Sequence, residues 1–135
     1  MTNPTPPILI DEAGYFDIYP SVVVARRAIE AEDVANGVYE AFDSEGRPLL
    51  LVAHGNLVSI ELSHESLPNV VELERRLRQH IHRVGPARMG ITDLDHAPLD
   101  LLLEAMARFE RREDRENRSS SWRGLLRRIS GRATS

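Results

Sequence analysis

Apolar and polar positions are most regularly ordered between Val38 and Leu62. The chain there reads Val-Tyr-Glu-Ala-Phe-Asp, Ser-Glu-Gly-Arg, Pro-Leu-Leu-Leu-Val-Ala-His, Gly-Asn, Leu-Val-Ser-Ile-Glu-Leu. Three strands joined by two turns are predicted. Asp43-Ser44-Glu45-Gly46 has the residues of a type I turn, with glycine where a left-handed backbone is needed, which suits a hairpin loop that carries a bulge. Gly55-Asn56 suits a two-residue hairpin loop, because both residues tolerate positive φ. Val58, Ile60 and Leu62 alternate with Ser59 and Glu61, so the third strand has a dry face and a wet one. Residues 49–53 are unbroken apolar and are expected to form the central strand, covered on both sides or nearly so. Such a meander is not stable alone, so something must cover it.

Residues 1–7 contain three prolines and read as a disordered lead. Residues 8–10 and 16–19 are candidate short strands, separated by Gly14. Ser21 is placed to cap a first helix running to about residue 31, with Val22, Ala25, Ala28 and Ile29 on its apolar face. Asn36-Gly37 closes that segment. A second helix, capped by Ser63 or Ser66 with Pro68 in its first turn, runs to Val84 ahead of Gly85-Pro86. Val70, Leu73, Leu77, Ile81 and Val84 fall on one stripe of it. Glu72–Arg76 and Glu74–Arg78 are pairs four residues apart, worth about 0.3 kcal/mol each, and a solvated charged face accounts for them. Residues 89–92 form a short strand or a loop. Asp93 or Asp95 then caps a third helix with Pro98 near its start, and Leu99, Leu102, Leu103, Met106 and Phe109 form its apolar stripe.

Charge divides the chain. Residues 1–113 hold 19 acidic residues and 11 arginines, a formal −8, whereas residues 114–135 hold 2 acidic residues and 6 arginines, a formal +4. Residues 114–121 are polar and Ser-rich and read as a linker. Beyond them, residues 122–132 read as a basic amphipathic helix, with Trp122, Leu125, Leu126 and Ile129 on one face and Arg123, Arg127 and Arg128 around the rest. The domain organisation expected is therefore one α+β domain over residues 8–113, a linker and a cationic tail. There is no cysteine, which excludes disulfides and thiolate zinc sites. No signal-peptide pattern and no membrane-length apolar run is present, so a cytoplasmic protein is expected, with the tail as its route to a membrane surface.

Candidate chemistry is sparse. His80 and His82 project about 200° apart on a helix and cannot share a metal. His80 lies beside the apolar stripe and is expected to be a partly buried histidine with a hydrogen-bond partner. His54 flanks a turn. His64-Glu65 and Asp93, Asp95 with His96 are the histidine–carboxylate neighbours, and helix capping explains those acids equally well. HExxH, GxSxG, the P-loop and GxGxxG are all missing. The balance leans away from an enzyme, and no cofactor or metal is expected. Acidic residues near loops, Asp43, Glu45, Asp93 and Asp95, are the candidate surface for a basic protein partner, which their field would steer. Solubility and turn chemistry account for the same residues. The tail (Trp122, Arg123, Leu125, Leu126, Arg127, Arg128, Ile129) is a second candidate contact, toward an anionic membrane or a protein groove; nucleic acid is the weakest of its readings.

The run Ala-Ile-Glu-Ala-Glu-Asp-Val-Ala-Asn-Gly-Val-Tyr-Glu-Ala-Phe-Asp-Ser-Glu-Gly-Arg-Pro-Leu, from Ala28 onward, resembles a pattern found in small acidic bacterial α/β proteins. The overall plan is similar to immunity proteins of bacterial toxin systems. The resemblance implies a non-enzymatic protein that binds a basic partner, and it carries over no catalytic or binding residue. The fold expected is α+β: a three-stranded meander plus one or two N-terminal strands, packed by two or three amphipathic helices. Burial of the stripes of the second and third helices on one face of that sheet is the main stabilising contribution, at about 1.5–3 kcal/mol for each fully buried Leu, Val or Ile. The function expected is a non-enzymatic, immunity-like protein-binding module; the alternative is a membrane-peripheral or tethering protein held by its tail.

Overall fold

A computed structural model describes residues 3–63 and 67–116, and the tail residues Trp122 to Ile129 lie outside that range. Five strands, β1 (Ile8–Glu12), β2 (Tyr15–Tyr19), β3 (Tyr39–Phe42), β4 (Pro48–His54) and β5 (Leu57–Leu62), form one antiparallel sheet in the order β2-β1-β3-β4-β5. Among the described residues four helices accompany it: α1 (Val22–Ala28), α2 (Ala31–Ala35), α3 (Val70–Val84) and α4 (Leu99–Glu116), with a short 3-10 turn at Leu94–His96. The fold is α+β, and the meander lies where its alternation and turns place it.

The turns form as their residues dictate. Gly46 has φ +79° and its amide bonds the Asp43 carbonyl at 3.0 Å, closing the four-residue turn. Any side chain at Gly46 would also run into the Asn69 backbone, within 3.0 Å of where a Cβ would stand. The α3 N-terminus therefore packs directly on the β3–β4 turn, and the Asn69 amide bonds the Gly46 carbonyl at 3.0 Å. Ser21 caps α1 through a bond from the Val24 amide, but the first helix breaks at extended Ile29 and resumes as α2. Asn69, not Ser63 or Ser66, caps α3, by accepting from the Glu72 amide. Residues 89–92 form no strand.

The most deeply buried strand is β1, not β4. Leu9 faces a core built with Phe16, Phe42, Leu73, Leu77, Ile81, Leu102, Met106 and Phe109, so α3 and α4 close over that side. Ile8 and Ile10 face the opposite core, with Tyr19, Ala25, Ile29, Val34, Ala41 and Ile60, beneath α1 and α2. Helices thus cover both faces of the sheet, and the expectation of a one-sided cover is corrected. Residues 49–53 form the middle strand of the meander, between β3 and β5, but they are not covered on both sides. Leu49, Leu51 and Ala53 pack toward α1 and α2. On the other side the α3–α4 layer stops short of β4 and β5, leaving Leu50 47% and Leu57 72% exposed. An apolar run is ambiguous in this way because it does not say which face is covered.

Within the expected lead, Thr5 is tied to the β3–β4 turn. Thr5 donates its amide to the Asp43 carboxylate at 3.0 Å, accepts the Ser44 amide at 2.9 Å, and donates its hydroxyl to Glu45 at 2.9 Å. At the other end, α4 continues to Glu116, into the segment expected to be linker.

His80, beside the apolar stripe of α3, is buried more completely than expected, and its Nδ1 accepts the Phe16 amide at 3.0 Å. Phe16 lies on the edge strand β2, so this bond satisfies an amide that no neighbouring strand is there to take. Burial, aided by the nearby Arg83 charge, pushes the His80 pKa down to about 4. Its folded pKa is therefore below its unfolded value, and the unfolded chain takes up a proton that the folded one refuses. Through His80, stability is expected to fall as pH drops from about 6.5 toward about 4, by about 3 kcal/mol in all. Urea unfolding across this window should show that loss in the wild type, with a flatter profile for His80→Gln. Equal slopes for both would remove His80 as the cause.

Candidate functional site

The β3–β4 pairing is short. It holds at Ala41 with Leu49 and at Phe42 with Pro48, and then the strands part. Tyr39 and Glu40 stay with β1, while β4 from Leu50 onward pairs with β5 alone. The cause is α2, which runs into β3 through Asn36-Gly37 and must bury Val34 in the core shared with Leu49 and Leu51. The parting leaves a cleft of about 460 Å³. Val34, Ala41, Leu49 and Leu51 give it apolar walls, and Glu40, Asn69, Glu72 and Arg76 give it a polar rim.

Arg76 is the centre of that rim. Its Nε donates to Glu72 at 2.8 Å, and its Nη1 donates to Asp11 at 3.1 Å and to Glu40. Its guanidinium also lies over the Phe42 ring, 5.1 Å from the centroid. One cation on α3 thus ties together two strands and its own helix. Burial raises the Asp11 pKa above the ordinary carboxylate value, despite bonds from the Gly14 amide and from Arg76. Bonds from Arg75 and then Arg76 hold the Glu72 carboxyl down at about 2. Burial works against the Arg76 charge, but its bonds to Glu72 and Glu40 outweigh it and raise its pKa. Glu40 keeps a side chain 62% exposed at the mouth of the cleft.

The four acids singled out in the sequence are placed differently from one another. Asp43 is fully buried: its carboxylate accepts from the amides of Thr5, Glu45 and Arg47 and pairs with the Arg47 guanidinium at 2.8 Å. It organises the β3–β4 turn and offers no charge to the surface. Glu45 is half-exposed and accepts from Thr5. Asp93 and Asp95 are exposed, and Asp93 bonds the His96 ring at 3.0 Å, which together with its charge raises the His96 pKa. The two pairs do not form one cluster. Gly46 meets α3 at Asn69, whereas Leu94 accepts from Arg78 at 3.1 Å, nine residues further along. At 1.5 Å per residue Asn69 and Arg78 are about 14 Å apart along the helix.

His54 and His82 are exposed, and His64 lies outside the described residues. Among the described residues no group of three or more His, Asp or Glu is placed to hold a metal, and no helix is long and apolar enough to cross a membrane. Glu40, Arg76 and the cleft itself were not singled out in the sequence. Arg76 and Asp11 are 65 residues apart, and the only local signal was the Glu72–Arg76 spacing. Comparison with models of protein families, with curated proteins and with solved structures finds no match for this chain.

If Arg76 is the shared counter-ion, Arg76→Gln should remove the cation that Asp11 and Glu40 share with Glu72, leaving Glu72 with Arg75 alone. Stability is expected to drop by about 2 kcal/mol near neutral pH and by less near pH 4, where protonation relieves the repulsion. In the same variant the Glu72 carboxyl should titrate above the value of about 2 that it has beside Arg75 and Arg76. Urea unfolding and carboxyl NMR check these two outcomes; an unmoved Glu72 titration contradicts the shared role.

Proposed function

We propose that this chain is a non-enzymatic protein-binding module that engages a basic partner through its acidic surface. One observation carries the reading: six of the eleven arginines of residues 1–113 are paired with carboxylates of the same body. Arg47, Arg75, Arg76, Arg78, Arg88 and Arg108 each lie within 4.0 Å of a carboxylate of the same body. The formal −8 of residues 1–113 already counts all 11 of their arginines, including the exposed Arg26, Arg27, Arg83 and Arg111, so the body carries a net acidic charge. Glu40, Asp93, Asp95 and Glu104 remain on the outside. A surface of one sign steers a partner of the other and raises the on-rate more than the affinity. The likeness in plan to immunity proteins makes a basic protein toxin the specific form of partner in this reading.

Affinity capture from the chain's own host tests it. A basic protein should be retained in stoichiometric amount at about 0.1 M salt and released toward 1 M, as the screening length falls from about 10 Å to about 3 Å. Captured proteins without an excess of basic charge, or retention that 1 M salt does not diminish, would contradict the reading.

A further inference from the structure

We infer that the β3–β4 cleft is the receptor for an arginine or lysine side chain of the basic partner. This rests on the acidic-surface reading above and names the place where that surface is specific. The cleft combines two properties that a long cationic side chain requires. Its walls, Val34, Ala41, Leu49 and Leu51, suit an aliphatic stem. Its rim is anionic: Glu40 and Glu72 line it beside Arg76, whose guanidinium also pairs with Asp11 behind the rim, and Arg75 shares Glu72. The ion cluster centred on Arg76 thus sets three carboxylates against two guanidiniums, a formal −1. The rim also holds a worked example of what it accepts, since Arg76 lies against carboxylates on one side and over Phe42 on the other. Charged and planar donors of this kind make the stronger hydrogen bonds to carboxylates.

Glu40 is the first contact for the incoming cation. It stands at the mouth, its side chain is mostly exposed, and it is held by a strand paired to β1. Glu72, fixed at the first turn of α3, is the second. The volume of about 460 Å³ leaves room for the backbone that carries the side chain. The parting of β3 from β4 is thus a receptor built into the sheet.

The probe is N-acetyl-arginine amide, titrated into the full-length protein and followed by amide NMR, with N-acetyl-citrulline amide as its uncharged isostere. The arginine probe should shift the amides of Tyr39, Glu40, Leu51 and Glu72, and citrulline should not. Glu40→Gln should weaken the arginine probe about three- to fivefold. Glu72→Gln should do the same, and it serves where Glu40→Gln fails to fold. Equal shifts by both probes, shifts centred on Asp93 and Asp95, or shifts that neither variant weakens would overturn the assignment. The two ideas fail separately. Salt-sensitive capture of a basic partner that survives both substitutions keeps the acidic surface and removes the cleft. Arginine binding in the cleft alongside a captured partner without basic excess keeps the cleft chemistry and removes the acidic-surface reading.

Discussion

The structure follows from the need to cover β1 on both faces. Successive side chains on a strand point to opposite sides, so Ile8 and Ile10 enter one core and Leu9 enters the other. A strand that is apolar on both sides cannot be satisfied by a single helical layer. The α3–α4 pair supplies one cover and the short α1–α2 pair supplies the other. Because α1 and α2 occupy the segment between β2 and β3, the chain crosses over the sheet before β3 returns beside β1. At about 1.5–3 kcal/mol for each fully buried aliphatic side chain, this two-sided burial outweighs any single ion pair in the molecule.

The cleft is a consequence of that arrangement. To bury Val34, α2 packs against β4, and β3 cannot follow β4 beyond Ala41 and Leu49. The α3 N-terminus is pinned nearby by Gly46, which has room for no side chain, so Glu72 and Arg76 reach the opening. Asp43 contributes from beneath, holding the β3–β4 turn and Thr5 in place through a carboxylate that never meets solvent. The polar rim is thus fixed by apolar packing, and its charges are oriented before any partner arrives.

Much of the architecture was legible in the chain. Asp43 to Gly46 and Gly55-Asn56 marked their turns, and the Leu73, Leu77, Ile81 and Leu102, Met106, Phe109 stripes marked two helices, because these signals are local. His80 was legible as a partly buried, bonded histidine for the same reason, although its full burial and its partner Phe16 were not. What escaped depends on contacts across the fold. Residues 49–53 are as apolar as a central strand, but only the extent of α3 and α4 decides that Leu50 stays open. Glu72–Arg76 reads as an ordinary helix pair, and nothing near it in sequence announces Asp11 or Glu40. Asp43 looked like a surface acid because turn acids commonly are, and its burial depends on Thr5 folding back over it.

Native-state hydrogen exchange followed by NMR tests the central claim most directly. If β1 is sealed between two helical layers while β4 parts from β3, the amides of Leu9 and Ile10 should exchange only through global unfolding. Those of Leu50 to Ala53 should exchange through smaller, local openings. Protection in β4 equal to that in β1 would contradict the account.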